Sequence, residues 1–174
     1  MSNIKLYIAT SLDGFIARED GSLDWLFVVP NPNEIDHGYG DFYASVDVVV
    51  MGRKTYEEIM GFDVEWPYAD SQTFVITRDT DFTTQTEKTE VMTSIDLERL
   101  KARSQKGIWL VGGGELISEF LKREAIDEMI LSVVPTIIGK GIRLFPNEPP
   151  ETKFQLVKAE PFETGIVNLH YRRG

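Results

Sequence analysis

A chain of 174 residues is long enough for one domain with a sizeable core, here expected to span residues 1–174. It has no cysteine, which excludes disulfide frameworks, thiolate nucleophiles and cysteine-based metal sites. Its formal net charge of −10 argues against general nucleic-acid binding, which needs a dense basic face, and makes the placement of each Arg and Lys informative.

The N-terminus enters a short apolar stretch with no small-residue cleavage site, and no apolar run nears the roughly 18 residues that suggest a membrane span. A cytoplasmic location without membrane contact is therefore expected. The first strand is expected over residues 5–10, followed by the turn dipeptide Asp13-Gly14. Residues 26–35, with Pro30 and Pro32, read as a loop, and residues 36–45 as a helix. Residues 46–51 are apolar on both faces, the pattern of a central parallel strand covered by helices. A helix over 54–60 and strands over 73–77 and 90–93 follow. The next helix, 95–104, has Ser94 as its expected N-cap, with Asp96 and Glu98 in the first turn. A strand over 108–111 runs through three glycines into a helix over 115–123, which repeats Leu116, Phe120 and Leu121 on one face. The tail reads as strands over 128–135, 154–160 and 166–172, with a turn near Glu163-Thr164-Gly165. The expectation is an α/β domain: a mixed, mostly parallel eight-stranded sheet, four helices, and antiparallel C-terminal strands.

Two strand-to-helix corners are candidates for binding an anion. In Met51-Gly52-Arg53-Lys54-Thr55-Tyr56 a helix start offers free N–H groups, two side-chain cations and a hydroxyl. In Val111-Gly112-Gly113-Gly114-Glu115-Leu116 the glycines let backbone approach a ligand closely. A glycine at a strand end can also be only a turn. Neither corner is a P-loop or a G-x-G-x-x-G, so the Rossmann fingerprint is missing. A third strand end, Val75-Ile76-Thr77-Arg78, brings a guanidinium that suits phosphate, although Asp79 and Asp81 are alternative partners for Arg78. His37 and His170 have no neighbours at metal-ligand spacing, and no metal is expected.

At these residues the chain resembles the dihydrofolate reductase-like superfamily, and within it the reductase domain of the bacterial riboflavin-biosynthesis deaminase-reductase. The motifs occur in family order: Ala9-Thr10-Ser11-Leu12-Asp13-Gly14-Phe15-Ile16, the Met51 and Val75 segments, the triple glycine, and Val134-Pro135 through Gly139-Lys140-Gly141 to Leu144-Phe145. The resemblance covers nearly the whole chain and implies an NADPH-dependent reductase. It assigns cofactor phosphates to Gly52, Arg53, Lys54 and Thr55, and the 2′-phosphate to Arg53, Thr77 and Arg78. Pyrophosphate falls to Gly112, Gly113 and Gly114, commonly with a cis peptide, followed by Glu115, Leu116 and Ile117. The nicotinamide carboxamide falls to Ala9 and Ile16.

On the substrate side the resemblance puts an acid from the helix before the Met51 strand against a ring; ungapped, this is Asp36, with Asp41 as the fallback. Asp36 could instead only cap that helix. Asp13, beside the substrate pocket in the riboflavin branch, is the second catalytic candidate. Trp25 resembles the Trp-bearing segment that covers nicotinamide, or is buried packing. Folate reductases place an Arg before the third strand end, yet here residues 66–72 hold no basic residue, which counts against dihydrofolate. Lys140 and Arg143 are the candidates for an acidic or phosphorylated group. The branch implies a phosphoribosylamino-uracil substrate, or another pyrimidine- or pteridine-like ring. A folate-reductase activity and a non-catalytic NADPH-binding protein are the alternatives. A homodimer through the tail strands and residues 129–138 is also implied.

Overall fold

A computed structural model describes residues 2–174. In chain order they form β1 (Asn3–Ser11), β2 (Phe15–Ala17), a 3-10 turn (Asp24–Phe27), α1 (Tyr39–Ala44), β3 (Val48–Gly52), α2 (Arg53–Met60), β4 (Gln72–Ile76), β5 (Thr89–Met92), α3 (Leu97–Arg103), β6 (Gly107–Gly112) and α4 (Gly114–Lys122). The tail adds β7 (Glu128–Val134), β8 (Ile142–Arg143), β9 (Phe154–Pro161) and β10 (Val167–Arg173). The main sheet has eight strands in the order β5-β4-β3-β6-β1-β7-β10-β9, and β2 and β8 form a separate ribbon. From β5 to β7 every adjacent pair of strands is parallel, and β10 is antiparallel to both β7 and β9.

Strand alternation sorts the apolar residues into two layers. Ile4, Leu6, Val48, Val50, Ile108 and Leu110 join Leu100 of α3 and Leu116, Ile117 and Phe120 of α4 on one face. Val49, Met51, Val75 and Trp109 meet Phe42 of α1 and Tyr56 of α2 on the other. The valine run is apolar throughout because helices cover both of its sides. Among the described residues no helix is long and apolar enough to cross a membrane.

Several local expectations need correction. α1 starts at Tyr39 rather than at residue 36, because His37 (φ 54) and Gly38 (φ 79) stand in the left-handed region and interrupt the helical backbone. The N-cap of α3 is Asp96, not Ser94: the Asp96 carboxylate accepts Arg99 N–H at 2.9 Å. The short β2–β8 ribbon and the 3-10 turn carry no periodicity that a sequence could display. Residues 129–134 are not a sheet edge, since β7 is paired on both sides; the tail-side edge is β9, with Leu156 and Val157 exposed.

Candidate functional site

The parallel strands end together on one side of the sheet, and their connections decide where a ligand fits. From β3 the chain leaves through α2 toward β4, while from the adjacent β6 it leaves through α4 toward β7, in the opposite direction. Such a switch point opens a crevice beyond the strand ends, the usual ligand position in a parallel α/β sheet. The two glycine corners face each other across it. A Cβ on Gly52 would lie 3.9 Å from Gly112 O and from Gly113 N, and one on Gly113 would lie 3.6 Å from Thr55 Oγ1. The Gly112–Gly113 peptide is cis, with Gly112 at φ 133.

No side chain among the described residues caps α2 or α4, whereas Asp96 caps α3. The first-turn N–H groups of α2 and α4 thus have no intrahelical acceptor, and the two helix starts, each the positive end of a dipole, lie next to each other. Arg53 is half-buried. Its Nε donates to Glu57 at 2.8 Å, its Nη1 to Asp79 at 2.6 Å, and its guanidinium lies 4.7 Å from the Phe82 ring centroid. Asp79, which sequence alone offers to Arg78, is therefore taken by Arg53. Lys54 and Arg78 are exposed, and Thr77 accepts Asp79 N–H at 3.2 Å. Glu115 is exposed, while Leu116 and Ile117 point into the core, so that only their backbone can face a ligand.

Two strands further along the same edge, between β1 and β7, lies a cavity of about 340 Å³. Neighbouring strands are about 4.8 Å apart, which puts crevice and cavity on the order of 10 Å from each other. It is lined by Ala9 of β1, Ser132 and Val134 of β7, Asp36 and His37 ahead of α1, and Leu26 and Phe27 of the 3-10 turn. Asp36 accepts Gly38 N–H at 2.9 Å and Gly40 N–H at 3.0 Å. The Gly40 and Gly38 amides hold its carboxyl below the usual carboxylate range. It therefore binds the start of α1 and lines the cavity as well.

The remaining candidates lie apart from this cavity. Asp13 accepts the Ser11 hydroxyl at 2.6 Å and the N–H groups of Ile138 and Gly139, and the Ser11 bond leads in lowering its pKa. It thus ties the end of β1 to the turn before β8. Ile16, on β2, packs against the core. Trp25 is fully buried, and its indole N–H finds no partner among the described residues. Asp41 lines a second cavity with Lys5, Lys158 and His170, which shares Tyr7 with the first. Lys140 pairs with Glu19 at 2.9 Å, and the Arg143 guanidinium lies 5.8 Å from the Phe15 ring centroid.

Sequence reasoning missed a polar network beside Asp36. His37 Nε2 and Thr164 Oγ1 are 2.9 Å apart, Ser132 donates to Asn168 at 2.6 Å, and Asn168 donates to the His37 carbonyl at 2.7 Å. Its members come from distant segments and share no spacing that would have announced them.

The sequence and fold have relatives. A family model described as RibD C-terminal domain matches residues 3–168. The uncharacterized protein YwjB of Bacillus subtilis strain 168 is 42% identical, over 97% of this chain and 96% of its own. A crystal structure of a putative riboflavin biosynthesis protein from Shewanella sp. PV-4 aligns with a TM-score of 0.87 and 34% identity, over 100% of this chain and 99% of that one. Dihydrofolate reductase from Enterococcus faecalis, complexed with NADP(H) and RAB-propyl, aligns with a TM-score of 0.69 and 21% identity, over 99% and 96% of the two chains, a likeness of fold.

Proposed function

The chain belongs to the RibD C-terminal domain family, and from that premise we propose that it is an NADPH-dependent reductase of a compact pyrimidine- or pteridine-like ring. The observation that carries this reading is the meeting of two uncapped helix starts, glycine against glycine, at the switch point between β3 and β6. Free N–H groups from two helices suit a pyrophosphate, and Gly52 and Gly113, with Thr55 Oγ1 beside them, leave room for backbone to approach it. Bound NADPH would supply the hydride.

Arg53 and Arg78, with Thr77 between the strand ends and Lys54 beside them, are the groups we assign to a 2′-phosphate. The existing Arg53–Asp79 pair does not stand against this. Both partners are about 40% exposed, and exposed ion pairs contribute about 0–1 kcal/mol. A guanidinium–phosphate hydrogen bond contributes about 1.5–3 kcal/mol. Arg53 can therefore leave Asp79 at little cost when a doubly charged phosphate competes for it. Ala9 and Ile16 are assigned to the carboxamide end, on the side of the sheet edge that leads into the cavity.

Asp36 is the acid we assign to the ring. Its depressed pKa keeps it ionised at neutral pH, so it accepts ring N–H groups and orients the ring rather than donating the proton. Asp13 is assigned to holding the turn at residues 138–139. A homodimer would form through the exposed β9 edge.

Titration of the protein with NADPH and NADH tests the reading. NADPH should bind at least tenfold more tightly, on the order of one charge-assisted hydrogen bond, and Arg53→Ala should lower the preference, with Arg78 left to contact the phosphate. Equal affinity for the two nucleotides, unchanged in Arg53→Ala, refutes it.

A further inference from the structure

Proteins meet a ligand phosphate or carboxylate with Arg or Lys side chains, or with the free N–H groups of a helix start. The crevice at β3 and β6 has both devices. The cavity at β1 and β7 has neither, although it opens on the same sheet edge. None of its lining residues is Arg or Lys. The helix that begins beside it, α1, has its leading N–H groups already taken, since Gly38 and Gly40 both donate to Asp36.

The other polar groups of the cavity are similarly engaged. His37 is the one lining side chain able to carry positive charge, and its Nε2 is bonded to Thr164. The Ser132 hydroxyl donates to Asn168, whose amide donates to the His37 carbonyl. Asn31 exchanges bonds with both the carbonyl and the N–H of Ile35. Lys5 and Lys158 line the second cavity, where Ser45 and Glu160 engage them. Lys140 and Arg143 are not among the lining residues of either cavity.

What the cavity does present is one carboxylate and apolar side chains. Phe27 is 82% exposed although it lines the cavity, so its ring is free to be covered by a flat partner, with Leu26 and Val29 beside it. A polyanionic tail placed here would face Asp36 with no cation between them. A neutral ring with N–H donors would meet the carboxylate as a hydrogen-bond acceptor and the phenyl ring as a stacking face.

We infer that the ligand of this cavity is a flat heterocycle bearing N–H donors and no phosphate or carboxylate tail, its substituents hydroxylated or apolar. The inference rests on the reductase reading for the role of the cavity, and it departs from the phosphoribosyl substrate that the riboflavin branch implies. Selection against the anion comes from Asp36, which pairs with no Lys or Arg among the described residues.

Calorimetric titration with two matched pairs of probes tests it: 6-hydroxymethylpterin against its phosphate ester, and 5-amino-6-ribitylaminouracil against its 5′-phosphate. The neutral member of at least one pair should bind, and its phosphate ester about tenfold or more weakly, the order expected from one partly screened charge repulsion. Val29→Arg, which adds a cation to the wall, should reverse that ranking. Tighter or equal binding of the phosphate ester to the wild-type protein overturns the inference, as does the failure of all four probes to bind. NADPH is titrated in parallel and reports separately on the crevice. NADPH bound together with preferred phosphate esters sinks only the inference about the tail, whereas neutral rings preferred without NADPH binding sinks only the reductase reading.

Discussion

Replacing Gly52 by alanine separates a turn glycine from one that makes room for a ligand. At φ −77 and ψ 160 the backbone is ordinary extended chain that any residue adopts. The added Cβ would find its nearest neighbours, Gly112 O and Gly113 N, at 3.9 Å, normal van der Waals contact. Nothing in the fold therefore opposes the substitution. Stability should be unchanged or rise by about 0.4–1 kcal/mol, because alanine restricts the unfolded chain more than glycine does. The methyl group would, however, occupy the gap between the starts of α2 and α4, where the proposed reading requires backbone N–H groups to come within hydrogen-bonding distance of pyrophosphate. Losing one charge-assisted bond of about 1.5–3 kcal/mol weakens binding about 10- to 150-fold. Thermal unfolding in the absence of nucleotide and titration with NADPH measure the two effects independently. A Gly52→Ala protein that binds NADPH like the wild type would falsify the assignment of the crevice, and one that unfolds markedly earlier would show that the glycine serves the fold.

Gly114→Ala should behave in the opposite way: its Cβ would stand 2.6 Å from Arg143 O and 3.0 Å from Pro146 Cδ. Overpacking of that kind destabilises by about 2 kcal/mol, a fall of about 4–8 °C in Tm for a domain of this size; an unchanged Tm in a thermal melt contradicts the packing argument. A pH effect is expected at Asp47, which joins the start of β3 to the loop after α3. Burial alone would raise its pKa, yet the Ser104 hydroxyl and the N–H groups of Gln105 and Lys106 outweigh this and lower it. The carboxylate therefore contributes stability above the unfolded value of about 3.9, and the contribution fades as pH falls through the lower folded value. Urea unfolding of wild type and Asp47→Asn should differ by about 2 kcal/mol at neutral pH and converge in strong acid; a gap that persists there refutes the assignment.

The long elements were legible because their periodicity follows from burial. Val48 to Met51 are apolar on both faces and become a strand covered on both sides, and Leu116, Phe120 and Leu121 mark the buried stripe of α4. Boundaries were less legible. Asp36 looks like a helix cap in sequence, and indeed it bonds to the N–H groups at the start of α1, but positive φ at His37 and Gly38 delays the helix to Tyr39. Which of Ser94 and Asp96 caps α3 depends on where the chain turns, and propensity permits both.

For the candidate site, local chemistry and spatial assembly divide in the same way. Glycines and cations at strand ends are properties of short segments, and so the sequence alone marked two corners as candidates for binding an anion. That Gly52 faces Gly112 and Gly113 depends on β3 and β6 being neighbours with helices leaving in opposite directions. Only the tertiary structure decided that Asp79 pairs with Arg53, that Asp13 anchors a turn, and that His37 joins Thr164 and Asn168 beside Asp36. The physical reason is range: periodicity, capping and turn chemistry act over a few residues, whereas a cavity is formed by side chains whose separation along the chain carries no pattern, brought together only when the sheet aligns its strands.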